Sequence, residues 1–249
     1  MRPLIAGNWK MHGLAQQLGE IGAVATAVET TAPSADILIC LPATLIDRAA
    51  QIVRGRIAIG GEDCSAEAAG AFTGEISVEM LKDAGASAVI VGHSERRRYH
   101  GETDAIVSAK AKAASRAGLL TIICIGETKS QRAENETLST CDAQLAGSLP
   151  DGMALTATAI AHEPLWAIGT GQIPSNEEIV AVHARIRRRL LARFGEDGRQ
   201  VRILYGGSIK PDNAREILAL PEVDGGLIGG ESLLAGDFEA IIRTVLTNH

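Results

Sequence analysis

Residues 156–194 read TATAIAHEPLWAIGTGQIPSNEEIVAVHARIRRRLLARF, an apolar run, a loop of small residues and a segment with helical periodicity. The run Thr156–Ala161 is almost continuously apolar, as strands covered on both faces are. The segment from Glu177 to Phe194 places apolar residues along one side of a helix and follows Ser175, a favourable N-cap. This stretch therefore predicts a β-strand followed by an α-helix.

The same unit recurs along the chain. Seven more strands are predicted, at Leu4–Trp9, Ile37–Leu41, Ile57–Gly61, Ala88–Gly92, Thr121–Ile125, Val201–Tyr205 and Gly226–Ile228. Eight strand–helix units without a long linker indicate an α/β protein, a (β/α)8 or TIM barrel of parallel strands. We expect one such domain over residues 1–249. The alternative is an open doubly wound sheet, but the first strand ends in Gly7-Asn8-Trp9-Lys10 and lacks the G-x-G-x-x-G pattern.

Composition excludes several classes of function. The formal net charge of −6 argues against a nucleic-acid binder. A basic run in the predicted helix from Glu177 to Phe194 is expected to form a solvated helix face; it comprises Arg185, Arg187, Arg188, Arg189 and Arg193. No apolar stretch approaches the roughly 18 residues of a membrane span, and no signal peptide is recognisable at the N-terminus. We expect a cytoplasmic protein that binds neither nucleic acid nor membrane.

The cysteines also favour a cytoplasmic location. Cys40, Cys64, Cys124 and Cys141 are scattered and have no metal-type spacing. Free thiols fit a reducing cytoplasm, and Cys40 and Cys124 lie in strand-like runs, where we expect them to be buried.

In a parallel barrel, catalytic groups lie where strands end. Lys10 follows the first strand, where its ammonium group could attract an anionic substrate. His93 follows the fourth, before an apparent helix start with Ser94 as N-cap. A histidine at the positive end of a helix should stay neutral and can donate a hydrogen bond to a carbonyl oxygen. Glu95 could pair with Lys10 or simply lie on the helix surface.

Glu163 follows the sixth strand and precedes Pro164 and a loop of small residues. A carboxylate beside a loop that can close over it is typical of a general base. Burial under that loop is expected to raise its pKa.

Glycine pairs follow the last two strands, in Tyr205-Gly206-Gly207-Ser208 and Gly229-Gly230-Glu231-Ser232. Exposed backbone N–H groups at these positions of a barrel frequently bind phosphate. A base, a neutral histidine, a cation and a phosphate site suit proton transfer beside the carbonyl of a small phosphorylated substrate. Neither a cofactor motif nor a metal-ligand cluster accompanies them, so we expect no cofactor and no metal.

Motifs along almost the whole chain resemble those of the triosephosphate isomerase family. They are Ala6-Gly7-Asn8-Trp9-Lys10-Met11, Gly70-Ala71-Phe72-Thr73-Gly74-Glu75, Gly92-His93-Ser94-Glu95-Arg96-Arg97, Cys124-Ile125-Gly126-Glu127, the Glu163 loop, Tyr205-Gly206-Gly207-Ser208 and Gly229-Gly230. A glutamate base acting with a neutral histidine is the known pattern of this family.

The resemblance implies interconversion of dihydroxyacetone phosphate and D-glyceraldehyde 3-phosphate through an enediol(ate), a step of glycolysis and gluconeogenesis. It implies that Glu163 moves the carbon-bound proton and that His93 serves the two oxygens. Lys10, held by Glu95, would stabilise negative charge, and Asn8 would orient the substrate. The residues expected to bind the substrate or its phosphate are Asn8, Lys10, Gly169, Ser208, Gly229 and Gly230.

The resemblance also implies a lid and a partner. The 164–174 loop would close and exclude water. The Gly70–Ile76 loop would pack beside the site of a second subunit in a homodimer. Its Phe72 would otherwise be an exposed aromatic at a loop tip. An internally packed loop is the alternative.

Three residues depart from the family pattern. His12 stands where the family usually has asparagine, and His162 where it usually has tyrosine. Pro174 has no N–H for the bond that the hydroxyl at the Tyr205 position commonly makes when the lid shuts. We therefore expect altered lid motion with the chemistry retained.

Two other functions remain open at this point. One is isomerisation of a four-carbon ketose phosphate such as an erythrulose phosphate; the intact Gly169-Thr170-Gly171 segment and the Asn8-Trp9-Lys10 start favour the three-carbon substrate. The other is a non-catalytic barrel that binds a phosphorylated metabolite, which would need neither Glu163 nor His93.

Overall fold

The computed structural model describes residues 1–31, 34–168 and 172–245. Eight parallel strands form a closed barrel in chain order, with β1 pairing with both β2 and β8. The strands are β1 Leu4–Asn8, β2 Asp36–Leu41, β3 Ala58–Gly61, β4 Ala88–Val91, β5 Leu120–Ile125, β6 Thr158–His162, β7 Arg202–Tyr205 and β8 Gly225–Ile228. The predicted (β/α)8 barrel is confirmed.

Helices follow the strands and cover the outside of the barrel. They are α1 Leu18–Thr31, α2 Ala43–Val53, α3 Val78–Asp83, α4 Ser94–His100, α5 Asp104–Ala117, α6 Lys129–Ala133, α7 Thr137–Ser148, α8 Asn176–Phe194, α9 Ala214–Leu218 and α10 Ala235–Thr244. Within the described residues, none of them is long and apolar enough to cross a membrane.

The predicted strands match these bounds to within one residue at each end, except at the start of β6. There, Leu155–Ala157 form a 3-10 turn, so the strand begins at Thr158 instead of Thr156. The predicted start of α8 is confirmed, because the Ser175 side chain accepts a hydrogen bond from the backbone N–H of Glu178.

Alternating side chains divide the core into two layers. On β6, Ala159 and Ala161 pack inside the barrel, whereas Ile160 faces the helices. Small and medium-sized residues from all the strands except β3 form most of the inner layer: Leu4, Ala6, Leu38, Cys40, Ala88, Ile90, Ile122, Cys124, Ala159, Ala161, Leu204 and Leu227. This period of two decides which polar residues at the strand ends enter the mouth of the barrel and which point towards the helices. All four cysteines are free and buried, as expected for Cys40 and Cys124.

One arginine of the basic run on α8 is not solvated, and for it the prediction is wrong. Arg187 is 5% exposed, and its guanidinium donates to the Glu222 and Asp224 carboxylates at 2.8 and 2.6 Å. It also donates to the carbonyls of Gly198 and Val201 at 2.7 and 2.8 Å. This side chain therefore joins α8 to the segments before β7 and β8.

Replacing Arg187 should destabilise the fold. Arg187→Ala leaves two carboxylates and two carbonyls without their buried donor, so we expect a loss of roughly 3–5 kcal/mol. Denaturant unfolding followed by circular dichroism measures it. The control is Arg188→Ala on the exposed side of the same helix, which should cost less than about 0.5 kcal/mol. Equal effects of the two changes would contradict the role given to Arg187.

Candidate active site

Glu163 lies at the carboxyl end of β6, on the inner side of the barrel. It follows the inward-facing Ala161 by two residues and is only 2% exposed. Its backbone N–H donates to the Ile125 carbonyl at 2.7 Å, which extends the β5–β6 pairing by one bond. A Cβ atom on Gly206 would lie 2.9 Å from the Glu163 Cγ, so the neighbouring strand end must stay free of a side chain here.

His93 lies across the mouth, between β4 and α4. Gly92 before it has φ +67°, a left-handed conformation that turns the chain into the helix. His93 itself caps α4: its Nδ1 accepts the Glu95 backbone N–H at 3.3 Å. The prediction of Ser94 as the N-cap is therefore wrong by one residue, since Ser94 is already helical.

Glu163 and His93 contact each other directly. His93 Nε2 lies 2.8 Å from Glu163 Oε1. The Ser94 backbone N–H donates to Glu163 Oε2 at 3.0 Å, and its hydroxyl lies 3.4 Å from Oε1. Sequence reasoning missed this role of Ser94, because only the tertiary fold brings α4 to the end of β6.

The pKa of Glu163 is lowered, opposite to the expectation. Burial alone would raise the pKa of this carboxyl, but the adjacent His93, the Ser94 N–H and the charge of Lys10 together outweigh burial. In this arrangement the carboxylate is held by hydrogen-bond donors, which makes it a weaker base than burial alone would.

The pKa of His93 is raised, which also differs from the expectation. Burial favours the neutral ring, but the Glu163 carboxylate beside it favours the protonated ring and prevails. The capping bond still requires a lone pair on Nδ1, so Nε2 carries the proton that faces Glu163.

Lys10 and Glu95 form the predicted pair. Lys10 Nζ lies 2.6 Å from Glu95 Oε1. Lys10 has φ +56°, and its backbone N–H donates to the Asn8 Oδ1 at 3.1 Å. Asn8 is buried and lies next to the pocket, so the turn after β1 fixes both side chains at the mouth.

The predicted residues surround one pocket of about 290 Å³. Those that line it are Asn8, Lys10, His93, Glu163, Ser208, Gly229 and Gly230. Glu95 lines the adjoining cavity of about 630 Å³ on the other side of Lys10 and His93. Gly169 lies outside the described residues. Added Cβ atoms on Gly229 and Gly230 would meet nothing closer than 3.7 Å, so this wall of the pocket is open backbone.

Polar contacts hold the start of the loop after Glu163. The Trp166 indole N–H donates to Glu127 Oε1 at 2.8 Å, and the Arg132 guanidinium lies 3.5 Å from the centre of a Trp166 ring. His162 Nε2 lies 3.2 Å from the other oxygen of Glu127. No sequence pattern predicts this arrangement, because Glu127 and Trp166 belong to different strand–loop units.

The Tyr205 hydroxyl is buried and has no hydrogen-bond partner among the described residues. The sequence left open whether this hydroxyl finds another partner in place of the N–H that Pro174 lacks. In the described part of the chain it does not.

The Gly70–Ile76 loop is exposed along its length. Phe72 at its tip is 49% exposed and Ile76 38%. The alternative of an internally packed loop is therefore not observed in the single chain.

A closed parallel barrel whose mouth joins a buried carboxylate, a histidine and an ammonium group defines a (β/α)8-barrel enzyme. The sequence profile of the family described as triosephosphate isomerase matches residues 3–245. The chain belongs to the triosephosphate isomerase family.

Similar proteins are named triosephosphate isomerase. Triosephosphate isomerase of Afipia carboxidovorans is 56% identical over 242 residues, which cover 97% of this chain and 96% of that protein. The enzyme of Ruegeria pomeroyi is 56% identical over 246 residues, covering 98% and 97%. A crystal structure of triosephosphate isomerase from Bartonella henselae superposes with a TM-score of 0.91 at 47% identity, over 98% of this chain and 99% of that one.

The charge state of His93 should depend on Glu163. In Glu163→Gln the carboxylate that favours the protonated ring is gone and burial remains, so the His93 pKa should fall from above to below its ordinary value. NMR of the ring nitrogens across pH measures this. Glu196→Gln, at a carboxylate far out in solvent, should leave the His93 pKa unchanged. An unaltered pKa in Glu163→Gln would show that the pair does not govern the histidine.

Proposed function

We propose that this chain interconverts dihydroxyacetone phosphate and D-glyceraldehyde 3-phosphate by proton transfer through an enediol(ate). The observation that carries the proposal is the 2.8 Å contact of Glu163 with His93 inside a small pocket that also receives Lys10. Family membership along nearly the whole chain supports the same reaction. In this proposal Glu163 alone moves the carbon-bound proton.

Glu163 is the proposed base. Its carboxylate is now held by His93 and Ser94, so it must leave these donors to reach a carbon-bound proton. A substrate carbonyl that takes the Nε2 hydrogen bond of His93 would replace the carboxylate there. Released from two donors and still buried, Glu163 becomes more basic, because burial then acts with less opposition.

His93 is the proposed electrophile. Because Nδ1 accepts the Glu95 N–H, the ring presents its Nε2 proton to the pocket in a fixed direction. That proton can polarise the carbonyl and then pass between the two oxygens of the enediol(ate). Departure of the Glu163 carboxylate from the ring favours the neutral form that this role needs.

Lys10 supplies positive charge beside the reacting oxygens in the proposal. Its 2.6 Å contact with Glu95 restricts the flexible side chain, and the ammonium group can stabilise the developing negative charge. Asn8, held by the turn after β1, would orient the substrate. Glu95 acts through Lys10.

The phosphate would bind at the ends of β7 and β8. Ser208, Gly229 and Gly230 line this side of the pocket, where backbone N–H groups and the Lys10 charge favour an anion. Gly169 is proposed to add a contact from the 164–174 loop. Closure of that loop would exclude water and protect the intermediate from losing phosphate.

Neither alternative function is favoured. The similar proteins are named for a triose phosphate. A phosphate-binding barrel without catalysis would not need a buried carboxylate in contact with a histidine.

The proposed reaction indicates the pathway and the compartment. We propose a role in glycolysis and gluconeogenesis in the cytoplasm. We likewise propose that residues 1–249 form one domain, since the strands from Leu4 to Ile228 close a single barrel.

A homodimer built on the Gly70–Ile76 loop is also proposed. Phe72 and Ile76 leave apolar surface open on this loop, and Met11, next to the catalytic Lys10, is 95% exposed. Apolar groups so close to the site fit an interface better than solvent. The partner's loop would then cover the cavity beside Lys10 and Glu95.

The substrate and the base can be tested together. A coupled assay with D-glyceraldehyde 3-phosphate should show rapid turnover, and L-erythrulose 1-phosphate little. Glu163→Gln should lower kcat by roughly 10²- to 10⁴-fold, the contribution of a general base, while a non-reacting phosphate analogue still binds. Glu196→Gln should leave kcat unchanged.

Faster turnover of the four-carbon sugar would keep the mechanism and reject the substrate. Inactivity on both sugars with analogue binding intact would support the non-catalytic alternative.

The interface proposal predicts a monomer when a charge enters the loop tip. Phe72→Asp would place a carboxylate in the apolar contact, which costs several kcal/mol when unpaired, so sedimentation should show dissociation. Leu138→Asp, at an apolar residue 41% exposed on α7, should keep the wild-type mass. A Phe72→Asp dimer as stable as the wild type would argue against this interface.

A further inference from the structure

A buried polar compartment lies behind the active site, between the barrel and the helices. Glu163 faces the mouth, so its neighbour His162 points to the outer side of the sheet, as Ile160 does. Glu127 follows β5, two residues after the outward-facing Ile125. Side chains at the ends of two adjacent strands therefore meet outside the barrel, where helices α7 and α8 cover them.

Helix α7 adds a thiol to this compartment. One ligand atom each of Glu127, Cys141 and His162 lies within 4.8 Å of the other two. The three residues are 2%, 1% and 2% exposed. A carboxylate, a thiol and an imidazole are thus enclosed together.

The polar groups here are not all satisfied. His162 Nδ1, His183 Nε2 and the Tyr205 hydroxyl are buried and have no hydrogen-bond partner in the described ranges. The rings of His162 and His183 lie 5.8 Å apart, and those of His183 and Tyr205 6.3 Å. Three unpaired polar atoms in one buried region are costly, and the unpaired Nδ1 lets His162 carry its ring proton on either nitrogen.

We propose that Glu127, Cys141 and His162 form a binding site for a divalent transition-metal ion of the zinc class, with a water molecule as the fourth ligand. Carboxylate, thiolate and imidazole are the ligands that tetrahedral zinc uses, with bonds of about 2.0–2.3 Å. A tetrahedral ion holds its nitrogen and oxygen ligands roughly 3.3 Å apart, and His162 Nε2 lies 3.2 Å from Glu127 Oε2. This pair needs almost no movement to accept the ion.

The charges balance. Without metal the Cys141 thiol is protonated, because burial and the neighbouring Glu127 raise its pKa. On binding, the S–H bond of Cys141 and the Nε2–H bond of His162 break as the metal bonds form; the thiol proton leaves to solvent, and the ring proton moves to the unpaired Nδ1 of His162. One thiolate and one carboxylate then neutralise the two charges of the ion, so the occupied site is electrically neutral in a buried place.

A route for the ion would open beside the loop that follows Glu163 if Trp166 moved. A pocket of about 510 Å³ reaches Gly126 and the half-buried Trp166. Gly126 precedes Glu127 in the chain, and Trp166 donates a hydrogen bond to its carboxylate. Opening at Trp166 would expose the carboxylate.

Binding would act on the proposed lid. The oxygen of Glu127 that does not face His162 accepts the Trp166 indole N–H. A metal ion would tie Glu127 to α7 and to the residue that precedes Glu163. We therefore expect bound metal to slow turnover reversibly without touching the substrate pocket, and chelation to restore it.

Cobalt(II) tests the site on the full-length protein, stripped of metal and kept reduced with a phosphine. One equivalent per chain should give the intense visible bands of tetrahedral cobalt and a thiolate charge-transfer band, both abolished by Zn²⁺. Cys141→Ala should remove the charge-transfer band and weaken binding by at least about 100-fold, the upper range for loss of a supporting group. Cys64→Ala, at another buried cysteine, should keep both spectrum and affinity.

A second change protects the test against misfolding. His162→Gln retains an amide beside Glu127 but offers no imidazole, so it should also lose the tetrahedral spectrum. A titration without tetrahedral bands, or a charge-transfer band that survives in Cys141→Ala, would overturn the proposal. Because the reading is spectroscopic, it is independent of the isomerase reaction.

Discussion

Closure of eight parallel strands is the constraint on which the rest of the structure depends. Since the strands run in one direction, all their carboxyl ends meet at one mouth, and Asn8, His93, Glu163 and Ser208 come together from four distant parts of the chain. Closure also makes every strand two-sided. Because successive side chains point to opposite faces, a residue at a strand end points either into the mouth or towards the helices. This alternation separates Glu163 from the adjacent His162.

The site is organised around the Glu163 carboxylate, the proposed base, which its neighbours hold in hydrogen bonds. Glu163 is buried, which by itself would raise its pKa, yet His93, Ser94 and Lys10 stabilise its charge and lower it. Each of these three groups belongs to a strand–helix unit other than that of Glu163, so the charge state of this carboxylate is a property of the whole mouth. The same carboxylate reverses the expected behaviour of His93. Displacing one contact changes both groups at once, which couples substrate binding to the basicity that the proposed reaction requires.

The sequence predicted the β-strands well but the surroundings of some side chains poorly. Apolar runs of three to six residues located all eight strands, because a strand buried on both faces leaves a local signature. The start of β6 was misplaced because Thr156 and Ala157 have the same composition as the strand after them. Arg187 was expected in solvent with its neighbours; its partners, Glu222 and Asp224, lie far along the chain and carry no local mark. Ser94 was assigned a capping role that His93 takes instead.

By itself the sequence determined the barrel, the positions of the chemical groups at strand ends and, through its motifs, the family. These depend on periodicity and on residue identity, which are local. Only the tertiary structure decided that Glu163 contacts His93 and Ser94, that the pKa values of the pair move opposite to expectation, and that Glu127, Cys141 and His162 share one buried compartment. Those facts depend on distances of a few ångströms between segments tens of residues apart, and electrostatic energies at such distances are fixed by packing, which no local pattern records.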